Sequence, residues 1–226
     1  MSGGFNPYSL GGWGAFGAPA GQHPASSQYA SFPSVYGALP GSSQFANQSS
    51  SSAGIDTETS LSFQFTGLNP DIVNCIVMGP NARYCFSIST STSGYQSPVT
   101  SVRNERDAVV ARIEWANRPV VEIEGVVPRV MASQLIPLSR DQAYRTMTIR
   151  GRQYAWAPAP QSAGTPPGSR CIQLFHTGTN PAQPLGMFNR HADGLSLDLA
   201  PEAMRHGALE VCVVIGLLLY SGRNFD

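Results

Sequence analysis

Apolar positions in this chain recur with two different periods. From residue 61 they alternate with polar ones in short runs. Leu61-Ser62-Phe63-Gln64-Phe65 alternates strictly and stops at Gly67-Leu68-Asn69-Pro70. Further strand-type runs cover residues 72–78, closed by Gly79-Pro80, then 83–89, 109–115 and 120–124, the last following an Asn117-Arg118-Pro119 turn. Residues 144–150 and 152–156 flank Gly151 as a hairpin, and 172–176, 186–189 and 195–199 complete the series. Roughly ten to twelve short strands with few helical windows predict an antiparallel sandwich or barrel. No strand–helix alternation supports a parallel α/β sheet.

One stretch breaks this pattern. Ala208–Tyr220 (ALEVCVVIGLLLY) is apolar on every side except at Glu210, and Ser221-Gly222-Arg223 ends it. A membrane span needs about 20 apolar residues, more than this run has. Val211, Val213, Val214 and Ile215 are β-branched and favour a buried strand, whereas Gly207, Glu210 and Ser221-Gly222 suit the ends of a helix. As a helix the run is about 20 Å long, the height of a strand of six or seven residues. A helix apolar all round must be buried all round, and the lumen of the strand-built barrel is the simplest enclosure. The expected fold is therefore mainly β: a closed antiparallel barrel of roughly 10–12 strands enclosing a C-terminal helix over about 208–220.

Composition divides the chain. Residues 1–55 are Gly, Ser, Ala, Pro, Gln and Asn punctuated by aromatics such as Phe5, Tyr8, Trp13 and Phe16, with no Asp, Glu, Lys or Arg before Asp56. Too few aliphatic residues offset the entropy of ordering such a segment, so a disordered low-complexity tail is expected, with self-association or a protein partner as its role. Residues 56–226 are expected to form one barrel domain. Ala157–Ser169, rich in Pro, Gly and Ser, reads as a loop from the barrel rim.

Charge narrows the function classes. There are 14 basic and 14 acidic residues, net charge zero, so no whole-molecule field draws the protein to nucleic acid. Every basic residue is Arg. Cys75, Cys85, Cys171 and Cys212 are scattered without metal-ligand spacing, and no Gly-rich phosphate loop, HxxxH motif or acidic cluster is present, so no metal or cofactor is expected. His191 near Asp193, and Cys171 with His176, each lack a third orienting group, so no catalytic residue is assigned and a non-enzymatic binding module is expected. The absence of a signal-peptide pattern leads to a cytoplasmic expectation. One feature stands out: Arg129, Arg140, Arg145, Arg150, Arg152 and Arg170 fall in a stretch whose single acid is Asp141. Arg140, Arg145, Arg150 and Arg152 are the candidate phosphate- or lipid-binding residues, with Arg150 and Arg152 on one face of the hairpin.

A barrel ending in a hydrophobic helix that threads it resembles the Tubby C-terminal-like fold of Tubby proteins, phospholipid scramblases and LURP-one-related proteins. Ile113-Glu114-Trp115, Ser139-Arg140, Gly151-Arg152-Gln153-Tyr154-Ala155-Trp156 and the closing ALEVCVVIGLLLY are similar to a fungal domain-of-unknown-function family of that group, over roughly residues 58–223. Tubby proteins bind phosphoinositides, so the resemblance implies a peripheral anionic-lipid ligand for the Arg-rich stretch. Where that family often has Lys after the Trp, this chain has Ala157, which weakens a phosphate contact at that position. Scramblase-like transfer is disfavoured, because no calcium-ligand cluster precedes the short terminal run.

Overall fold

The computed structural model describes residues 60–69, 71–94, 97–159, 170–179, 182–191 and 194–226. The expected tail at 1–55 lies outside the described residues, as does most of the Ala157–Ser169 loop.

Twelve strands form one antiparallel sheet: β1 (Leu61–Thr66), β2 (Cys75–Met78), β3 (Tyr84–Ser91), β4 (Val99–Asn104), β5 (Val109–Glu114), β6 (Val120–Ile123), β7 (Val127–Met131), β8 (Arg145–Ile149), β9 (Arg152–Pro158), β10 (Arg170–His176), β11 (Gln183–His191) and β12 (Gly194–Leu199). Their order, β7-β6-β5-β4-β3-β2-β1-β12-β11-β10-β9-β8, is two meanders joined by the pairing of β1 with β12. Phe63 opposite Leu197 and Phe65 opposite Leu195 fix that register. All four side chains are buried, so a one-residue slip would turn them out of the core.

The sheet curls until its two edge strands face each other, and it nearly closes. Between β7 and β8 lies a seam where the chain makes a single helical turn, α1 (Ala132–Leu135), whose Ala132 and Leu135 are buried, and a cavity remains between Val127, Leu135 and Met147. The chain after α1 then covers one end of β8, where the Thr146 N–H donates to the Pro137 carbonyl at 3.1 Å. Pro128 within β7 lacks a donor, which is tolerable only at such an edge.

Two helices follow β12: α2 (Pro201–Arg205) and α3 (Leu209–Tyr220). The apolar run is thus a helix, and Val211–Leu219 are buried without interruption. Each large aliphatic side chain so placed contributes about 1.5–3 kcal/mol of gross burial energy. No helix among the described residues is long and apolar enough to cross a membrane. Close packing explains Gly216 in the middle of α3. A Cβ there would stand 2.8 Å from the Phe188 ring. That ring also stacks on Trp156 at 5.1 Å and meets Tyr220 edge-on at 5.6 Å. The lumen is therefore filled by α3 and the inward side chains of the strands, and chemistry is left to the barrel's ends and outer face.

The sequence reading overlooked β4 and β7. In β4 (VTSVRN) the inward residues are Thr100 and Val102, and the buried Thr100 hydroxyl accepts from Trp115 Nε1 at 2.6 Å. In β7 (VPRVM) the middle of the strand is exposed at the edge and shows no alternation.

Candidate functional site

The α2–α3 junction covers one end of the barrel. α2 terminates in a Schellman motif: Gly207, at φ +68°, bonds back to the Met204 carbonyl, and the Ala208 N–H reaches the Ala203 carbonyl at 3.1 Å. This reversal sends the chain into the lumen as α3. It also leaves His206, at the helix C-cap, facing the rim of β9.

The β8–β9 hairpin comes up to meet it. Ile149 pairs with Arg152, so Arg150 and Gly151 are the two turn residues, and both have positive φ (48° and 77°), the signature of a type I′ turn. Arg150 lays its guanidinium over Gly207, with Nη1 3.0 Å from the position a Cβ would take there. Arg152 Nη1 hydrogen-bonds His206 Nε2. On the other side of the ring, His206 Nδ1 lies 3.1 Å from Tyr154 Oη. Glu202 Oε1 is 3.8 Å from Nε2, and its other oxygen accepts from Gln183 Nε2 at 3.0 Å. The His176 ring packs 5.5 Å from Tyr154 and 6.3 Å from His206.

These contacts fix a protonation pattern. An Arg guanidinium only donates, so Nε2 accepts; the proton of neutral His206 then sits on Nδ1 and is donated to Tyr154 Oη. Burial and, next, the Arg152 charge push the imidazole below its usual range, against the opposing pull of Glu202. Burial pushes the Tyr154 phenol up. Arg150, Arg152 and Arg205 are exposed around this ring. The arrangement is a cationic rim around a neutral histidine, suited to an anion.

The other sequence candidates lie elsewhere. Arg145 is fully buried, correcting its assignment to an exposed ligand-binding face. It is in phase with the inward Met147 and Ile149 of β8. Its Nη2 meets Asp226 Oδ2 at 2.5 Å and its Nη1 donates to the Ile136 carbonyl at 2.7 Å. It marks the far end of the barrel, since β8 separates it from Arg150 by about 16 Å. Arg140 is exposed in the turn preceding Arg145, also toward that end. Arg129 is forked onto Glu114 by two 2.6 Å bonds. The Arg170 side chain lies outside the described residues. Of the four named candidates, the structure brings together Arg150 and Arg152.

The sequence from residue 70 to 218 matches a family of unknown function (DUF6593). The chain belongs to that family. The DUF6593 stretch contains Arg150, Arg152, Tyr154, His176 and His206, and ends inside α3; β1 and Asp226 fall outside it. Among solved structures, a protein from Arabidopsis thaliana is similar over 71% of this chain and 91% of its own, at 11% identity and a TM-score of 0.40. No curated protein matches the sequence.

Of the pairs noted in the sequence of this DUF6593 protein, Cys171 with His176 does not assemble. Cys171 and His176 sit at opposite ends of β10, and Cys171 Sγ lies 3.1 Å from Asn189 Oδ1. Ala192 and Asp193 lie outside the described residues. Burial raises the Cys75 thiol to about 12 and pushes up Cys212 and Cys85. Among the described residues no metal-holding group of three or more His, Cys, Asp and Glu side chains gathers. Sequence reasoning missed His206 and Tyr154. The available signal was phase: Arg152 shares the inward face of β9 with Tyr154 and Trp156, which places it at the mouth of the core.

Proposed function

We propose that this protein is a non-enzymatic binding module whose ligand contact is the barrel end formed by Arg150, Arg152, Arg205 and His206, and that the ligand carries a phosphoryl-type anion. The observation carrying this reading is the convergence of Arg150 and Arg152 on His206-Gly207. Arg150 strengthens it. A non-glycine residue in left-handed conformation costs about 1–2 kcal/mol, and such cost recurs at functional positions. A lumen filled by α3 leaves no ligand volume inside the barrel, and the Cys75, Cys85 and Cys212 thiols, pushed up by burial, offer no ready nucleophile.

An anionic membrane surface is one bearer of this chemistry, and the resemblance to Tubby-type barrels supports it. Three guanidiniums at one end, with the fold's apolar helix already buried, suit peripheral rather than inserted contact. Flotation with phosphatidylcholine vesicles, with and without phosphatidylinositol bisphosphate, tests the reading. Binding is expected only with the phosphoinositide, weakening as salt is raised and lost in Arg150→Ala/Arg152→Ala. Equal flotation on both vesicles, or an unaffected double variant, would overturn it.

A further inference from the structure

Arg152 and His206 hold each other in a form that withholds both from a ligand. While Nε2 accepts from Arg152, that guanidinium spends a donor on the ring, and the ring carries no charge. A proton taken up from solvent at Nε2 converts the contact into N–H against N–H between two cations. Arg152, exposed on its outer side, is then driven off the ring. Nδ1 keeps its own proton and its bond to Tyr154 Oη in both states, so the ring stays oriented.

We propose that protonation of His206 unmasks this barrel end, so that it binds phosphoryl-type anions with uptake of one proton and more tightly as the solution is acidified. The inference rests on the anion-binding reading above and adds its regulation. In the neutral form, among the described residues, Arg150 over Gly207 and Arg205 beside the ring are cations of this end that make no side-chain hydrogen bond; in the acid form Arg152 and the His206 imidazolium join them.

The surrounding groups support a switch at this histidine. Tyr154 on β9 and Cys212 on α3 are both pushed up by burial and stay uncharged under acidification. Glu202 on α2 stands 3.8 Å from Nε2, ready to receive the new N–H until an anion takes it. His176 on β10 is the other imidazole nearby; its charge would oppose that of His206. Because burial and Arg152 depress His206, its charging sets in below the usual histidine range of about 6.5, and a bound anion reverses part of that depression by linkage.

The test measures binding of inorganic sulfate, whose charge is fixed over this range, of inorganic pyrophosphate, and of phosphatidylcholine vesicles with phosphatidylinositol bisphosphate, each at about pH 7.5 and about pH 5.5. The expected result is affinity about tenfold or more higher at the acid pH, the effect of gaining a charge-assisted hydrogen bond. Binding of the free anions identifies soluble phosphate as sufficient; binding of the vesicles alone identifies a membrane headgroup. His206→Gln, neutral at both pH values and still able to accept from Arg152, is expected to bind at the neutral-pH level throughout. In the unaltered protein, the NMR titration midpoint of the His206 ring is expected to rise when sulfate is added. Binding that is independent of pH overturns the switch and leaves the binding reading standing. A pH dependence of sulfate binding that survives in His206→Gln also overturns it. No binding at either pH overturns both.

Discussion

At the scale of single residues, the conformation of Arg150 separates folding from function. Position one of a type I′ turn favours Asn or Gly, and the following Gly151 already fits. Arg150→Asn is therefore expected to stabilise the fold by about 0.5–1 kcal/mol, read as a higher urea midpoint at unchanged slope, while anion binding falls. Lower stability would instead show that the guanidinium lying over Gly207 contributes more than the turn conformation costs. The hairpin was legible in the sequence, because Gly151 stands between two alternating runs. His206 was not, because its partner Arg152 is 54 residues away and a lone histidine ahead of an apolar run has no local pattern. Arg145 misled for a related reason. A charged residue is ordinarily read as exposed, and only the phase of β8 with Met147 and Ile149 reveals that it points inward.

At the scale of elements, α3 was the most legible part of the chain, since an apolar surface on every side leaves it no solvent-exposed solution. What the run did not disclose is how tightly the barrel grips it. Gly216 normally disfavours a helix by about 1 kcal/mol relative to Ala, yet the Phe188 ring occupies the space its Cβ would need. Gly216→Ala is thus expected to destabilise the protein by about 1–2 kcal/mol net, overpacking outweighing the gain in propensity; the midpoint of chemical unfolding reads it. A stabilised variant would mean that Phe188 can turn away, although it is held between Trp156 and Tyr220. The overlooked strands teach the opposite lesson. β4 buries a threonine whose hydroxyl serves Trp115, and β7 is an edge carrying a proline, so neither shows the apolar alternation that burial normally writes into a strand.

At the scale of the whole molecule, the barrel has two ends built differently. One is closed by the α2–α3 junction and carries the cationic rim; the other is tied by residues that follow α3. There Phe225 is buried, and the Arg145 guanidinium lies 4.5 Å above its ring while binding Asp226. Arg223 lies likewise 4.5 Å over Trp115. This end joins β8, at one edge of the nearly closed sheet, to the segment leaving the central helix, so it holds the seam side of the barrel against its core. Asp226 is partly exposed, which screens the pair, and Asp226→Asn is expected to cost about 1–2 kcal/mol. The cost should shrink little with added salt, because the Arg145 side is fully buried. Arg145→Met together with Asp226→Asn should cost less than the sum of the two single changes, since no guanidinium is then left buried beside a weakened partner. Additive costs would show that the ion pair is not what fastens this end. In neither case should anion binding change, because β8 keeps the two ends about 16 Å apart.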